Sequence, residues 1–245
     1  MPFKTKRKGA TKMAQLTKAV LGRVSGRLGD TVFRQRKGKN VIGTRPARYT
    51  PPGDQASIDR RSRFAFSSKL AQAIYSLPEL AAFWVPLTPD AMTTFNFVVQ
   101  KNILIVNPGS VSDLTTITPQ RGFGIVCNTA SISGNTIAVA LAAVGSASGI
   151  DVTKEPNAKL AYVLSLTGPA NQTFPEFQFV PGISETKPLS LDTAITFNIA
   201  LSGQDVASFQ SYSERKILLT LLTLGPADTP MEYSGTVVTA VTPTL

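Results

Sequence analysis

From Thr93 onward, apolar and polar residues fall into short runs separated by turn-forming residues, a pattern that predicts strands. Candidate strands cover 94–99, 102–106, 122–127, 135–143, 159–166, 174–180, 194–201, 215–224 and 233–241. Alternation is clearest in Phe95-Asn96-Phe97 and in Ile195-Thr196-Phe197-Asn198-Ile199. Turn chemistry separates the runs at Asn107-Pro108-Gly109, Ser133-Gly134-Asn135, Gly168-Pro169 and Gly225-Pro226. Eight or nine strands at this spacing indicate a β-sandwich, and a jelly roll and an immunoglobulin-like sandwich fit the pattern equally.

The chain before Thr93 is patterned differently. Met13, Leu16, Val20 and Val24 stand at helical spacing, which predicts a short helix over 12–24, followed by a backbone loosened by Gly22, Gly26 and Gly29. Residues 31–45 read as a β-hairpin: Thr31-Val32-Phe33 and Val41-Ile42 favour strands, and Lys37-Gly38 supplies the turn. A Pro-rich linker occupies 46–54. A helix is predicted from about Gln55 to Ser76, capped by Asp54 or Ser57. Arg60, Arg61 and Arg63 are read as one basic face of it, and Phe66, Leu70 and Ile74 as an apolar face. Pro78 ends or restarts the helix, and Leu80 to Trp84 continue the apolar surface toward the body. The expected division is a basic arm over 1–54, a helical connector over 55–87 and a mainly β sandwich over 88–245 able to fold by itself.

Charge sharpens this division. Residues 1–70 hold 18 Lys and Arg against three acids, net +15, whereas 71–245 hold seven against 12, net −5, which together make the chain's +10. Regions of opposite sign usually have different jobs. The 42% apolar content is that of a globular protein, so disorder of the whole chain is not expected. The longest apolar runs, such as Ile137 to Val144, are too short to span a bilayer. No apolar stretch follows the basic N-terminus as it would in a secretory leader, so synthesis in a reducing cytoplasm is expected.

Candidate chemistry is sparse. The chain has no histidine, the commonest general base and metal ligand, and a single cysteine, Cys127, read as a small core residue. Glu176 and Glu185 are loop acids with no evident partner, and Asp151 and Glu155 lack the further oxygen ligands of a calcium loop. The run Gly22-Arg23-Val24-Ser25-Gly26-Arg27-Leu28-Gly29 lacks the Gly-Lys-Ser/Thr ending of a phosphate-binding loop. Neither an enzymatic activity nor a cofactor is expected.

The basic segment stands above this background. Neutralising phosphates takes many Lys and Arg at no special spacing, and Arg forks suit bidentate phosphate contacts. The candidate phosphate-contacting residues are Lys4, Lys6, Arg7, Lys8, Lys12, Arg23, Arg27, Arg34, Arg36, Lys37, Lys39, Arg45 and Arg48. Arg34, Arg36, Lys37 and Lys39 crowd the hairpin tip, where like charges repel unless an anion lies across them. Phe33 and Tyr49 are interleaved as candidate base-stacking residues. No helix-turn-helix, zinc-finger or RNA-recognition signature is present, so the expected binding is electrostatic and blind to sequence.

The run from Leu21 to Lys39, with Thr44-Arg45-Pro46, Arg63-Phe64 and Phe95-Asn-Phe-Val-Val-Gln-Lys-Asn102, resembles a family of uncharacterised bacterial, prophage-type proteins. These open with a glycine-and-basic segment and continue into a β-sandwich. The resemblance covers about half the chain and implies an architecture, with no activity attached. The layout is also similar to that of small-virus coat proteins, whose basic arm faces the packaged genome while the sandwich tiles the shell, an analogy of arrangement. The expectation is a virion structural protein, a coat or coat-associated subunit that assembles with itself, with nucleic acid and with other virion proteins. Its rivals are a tail or decoration protein whose arm threads into neighbouring subunits, and a cellular, sequence-blind nucleic-acid-binding protein.

Overall fold

The computed structural model describes residues 14–15, 25–36, 39–44, 52–119 and 122–243, in two compact units, Met1–Pro52 and Gly53–Leu245. Among the described residues the fold is mainly β, with three sheets and four α-helices.

The described residues of the first unit include one antiparallel sheet. β1 (Ala14–Gln15), β2 (Gly26–Leu28), β3 (Thr31–Arg36) and β4 (Lys39–Thr44) lie in the order β1-β4-β3-β2. The expected hairpin is β3 and β4, with Arg36 paired to Lys39. The expected helix over 12–24 is contradicted where it is described: Ala14 and Gln15 pair with Ile42 and Val41 of β4. A neighbouring strand satisfies their backbone, which outweighs the weak propensity of a short isolated helix. The rest of that stretch lies outside the described residues. β2 was not expected. Gly29-Asp30 is a two-residue turn into β3, and Gly29 adopts φ +57°, a conformation that favours glycine.

In the second unit, α1 (Gln55–Tyr75) is capped by Asp54, whose carboxylate accepts from the Ser57 N–H at 3.0 Å. Hydrogen bonding from Ser57 holds that carboxyl below its ordinary range. α2 (Pro78–Trp84) starts on Pro78, which has no N–H to leave unpaired in a first turn, and one 3₁₀ turn follows. α3 (Thr94–Asn102) replaces the strand expected at 94–99. Thr93 caps it by accepting from the Asn96 N–H at 3.3 Å, and Phe95, Val98, Val99 and Asn102 share one helical face at i, i+3, i+4 and i+7. Alternation over three residues cannot outweigh that longer period. No strand forms over 102–106, where the helix ends in turns, and the expected strand at 122–127 begins only at Cys127, apart from a bridge from Phe123 to Ser234. A side chain at Gly122 would collide with the Ser234–Gly235 backbone.

The strands that follow are β5 (Cys127–Ser133), β6 (Thr136–Leu141), β7 (Asn157–Pro169), β8 (Phe177–Ile183), β9 (Lys187–Pro188) and β10 (Ile195–Ala200). After helix α4 (Gly203–Gln210) come β11 (Tyr212–Leu224), β12 (Pro230–Tyr233), β13 (Val237–Ala240) and β14 (Thr242–Pro243). One sheet has the order β10-β6-β5-β14. In the other, β7 pairs with β8, β9 and β11, and β11 also pairs with β12 and β13.

The two sheets share one apolar core. Ile137, Val139, Phe197 and Ile199 of the first meet Leu160, Leu164, Leu166, Leu219 and Leu221 of the second. The opposite face of β7 and β11 is also covered: Ala161, Val163, Leu218 and Leu222 pack with Phe66, Leu70, Ile74, Leu80 and Trp84 of the helices. This double coverage explains why Leu160–Thr167 and Ile217–Leu224 are buried without interruption. The 55–87 segment expected as a connector is thus part of the core of the unit. Its Phe66 ring meets Phe177 and Phe179 of β8 edge-on, both at 4.9 Å between centroids. A hydroxyl network joins the 116–118 stretch to the β12–β13 connection, with Thr236 Oγ1 accepting from the N–H of Ile117 at 2.9 Å and of Thr118 at 3.2 Å.

Candidate nucleic-acid interface

The division of charge follows the division into units. Residues 1–52 carry 14 Lys and Arg against one acid, net +13, and residues 53–245 carry 11 against 14, net −3. Of the candidate phosphate-contacting residues, Arg27, Arg34 and Lys39 are described and exposed, and Arg36 is placed by its backbone in β3. Lys4, Lys6, Arg7, Lys8, Lys12, Arg23, Lys37, Arg45 and Arg48, together with Tyr49, lie outside the described residues.

Register brings the described cations together. Directly paired residues of an antiparallel ladder share a face, as do residues two apart on one strand. Arg36 pairs with Lys39, Arg34 with Val41, and Val32 with both Gly43 and Arg27. Positions 27, 34, 36 and 39 therefore fall on one face. The other face carries Leu28, Phe33 and Ile42, with Gln35 donating to Asn40 Oδ1 across the strands at 3.4 Å. Phe33 stands on the face opposite the cations and cannot stack on a base held there. Crowding at the tip is thus one end of a row of cations crossing three strands. The Arg27 guanidinium donates to the Gly29 carbonyl at 3.0 Å. An ion pair joins Lys154 and Asp151 at 3.1 Å in the other unit.

Of the basic face expected on α1, Arg60 and Arg61 are exposed and Arg63 is half-buried. Positions 60 and 63 are neighbours one turn apart and 61 is rotated about 100° from 60, so the three fall within about 160° of the helix circumference. Arg60 donates to Ser57 Oγ at 2.8 Å, whereas the Arg63 Nε is buried without a hydrogen-bond partner.

The remaining candidates lie in the second unit, where Cys127 is half-buried. Burial pushes the Cys127 thiol above its ordinary pKa, against a smaller lowering by its bond to the Thr129 carbonyl. The Asp151 carboxyl is held at about 2 by the Thr153 hydroxyl first and by Lys154 next, as in an ordinary solvated loop. Glu155 is buried and accepts from the Thr223 hydroxyl. Glu176 and Glu185 are exposed. Among the described residues no three His, Cys, Asp or Glu group closely enough to hold a metal ion, and no helix is long and apolar enough to cross a membrane.

No protein-family model matches the chain, and no curated protein matches it. The likeness of the glycine-and-basic segment to prophage-type proteins therefore rests on its residues alone.

Proposed function

We propose that this chain is a structural protein of a virus or phage particle, a coat or coat-associated subunit whose basic N-terminal unit contacts packaged nucleic acid through phosphates. The observation that carries the reading is the partition of charge, +13 in residues 1–52 against −3 in 53–245. A polyanion is the natural partner for a small unit of that charge. The second unit, as a sandwich of jelly-roll or immunoglobulin-like type, forms the shell. The outer face of its β10-β6-β5 sheet supports lateral packing: Thr196, Asn198, Ala138, Ala140 and Ser131 alternate there with core residues, and that face of the three strands carries no charge. Particles form in the host cytoplasm and incorporate other virion proteins.

Electron microscopy of the purified chain, with its ultraviolet absorbance spectrum, tests this. Uniform assemblies carrying nucleic acid are expected. A chain that stays small in solution yet binds nucleic acid indicates a cellular binder, and one that assembles only on a partner shell or tube indicates a tail or decoration protein.

A further inference from the structure

Resting on the nucleic-acid reading above, we infer that the β2-β3-β4 sheet binds phosphates through one face only, the face bearing Arg27, Arg34, Arg36 and Lys39. The alternative is a polycation whose charges act irrespective of position. Three observations separate the two. The four cations share a face by register although they come from three strands. The only acid in residues 1–52, Asp30, stands in the β2–β3 turn, outside the paired strands. And the paired positions on the opposite face are apolar or amide-bearing at Leu28, Phe33, Gln35 and Ile42.

The spacing also fits. Arg34 and Arg36 are two residues apart on one strand, about 6.6–6.8 Å by strand rise. Lys39 lies directly across from Arg36, roughly 5 Å away between Cβ atoms. A row at such steps meets successive phosphates of one nucleic-acid strand. The described part of the face offers no aromatic ring to stack on a base, so recognition is of the backbone, and base identity does not enter.

The test exchanges face at constant charge. Full-length chain is titrated with a fluorescent mixed-sequence single strand and duplex over a range of salt. Arg34→Gln is expected to reduce the salt slope by about 0.7–0.9. The exchange Arg34→Gln with Gln35→Arg restores net charge on the wrong face, and is expected to bind no better than Arg34→Gln alone. Because Gln35 bonds Asn40, an independent pair guards against a disturbed hairpin: Val41→Lys, on the cationic face, should steepen the slope by a similar amount, and Thr31→Lys, on the other, should not. Recovery of wild-type binding by the exchange, or equal gains from both lysines, overturns the one-face inference while leaving the nucleic-acid reading intact. Absence of salt-dependent binding by the wild-type chain overturns both.

Discussion

A chain beginning at Thr88 will show no cooperative thermal unfolding, whereas one beginning at Gly53 will unfold cooperatively, as followed by circular dichroism. The strand pattern alone suggests the opposite for Thr88, since the strands lie beyond it. The structure shows what that cut removes. Phe66, Leu70, Ile74, Leu80 and Trp84 are all at most 1% exposed and cover the outer face of β7, β8 and β11. At about 1.5–3 kcal/mol per buried side chain, their loss is worth roughly 8–15 kcal/mol. That matches the entire stability of a typical domain, about 5–15 kcal/mol. The cut also bares Ala161, Val163, Leu218 and Leu222, leaving an apolar sheet face that favours aggregation. The Gly53 cut leaves this core and the Asp54 cap intact. A cooperative transition in the Thr88 chain would make the helical layer an accessory.

Phe66→Ala will lower stability by about 3–5 kcal/mol, while Phe64→Ala, two residues away, will change it by at most about 0.5 kcal/mol. Phe66 is 0% exposed and wedged between two rings, and Phe64 is 57% exposed. Truncation at 66 leaves a cavity walled by Phe177 and Phe179 on a strand that the sheet holds in place, so little collapse can fill it. Chemical denaturation of the two variants reads the difference directly. Equal effects at both positions would mean that α1 is not seated as described.

Much of this architecture is legible in the residues, for identifiable reasons. Asp54 and Pro78 punctuate α1 and α2, and Lys37-Gly38 lies between the two strands of a hairpin, because caps, prolines and two-residue turns act locally. Local signals also exist for β2 and α4. Gly29-Asp30 before Thr31-Val32-Phe33 marks a hairpin turn into β3, and Ser202 with Asp205 forms a capping box at the start of α4. The helical layer is a different matter. The apolar runs Leu160–Leu166 and Ile217–Leu222, each broken by one polar residue (Ser165 and Thr220), mean strands covered on both faces, yet only tertiary contact shows that α1 to α3 supply the second cover. The cationic face is likewise half visible. Arg34 and Arg36 share parity on one strand, but Arg27 and Lys39 join them only through the pairing of β2 and β4 with β3.

On the proposed reading, residues 1–52 bind phosphates and the body folds without them. Nucleic-acid affinity of the full chain and of the chain from Gly53, measured against salt, tests it most directly. With about 6–10 phosphate contacts, the full chain should lose about a thousandfold or more in affinity between roughly 50 and 200 mM salt. The chain from Gly53 should be folded and bind negligibly. A shallow slope for the full chain, or equal binding by the two, would contradict the account.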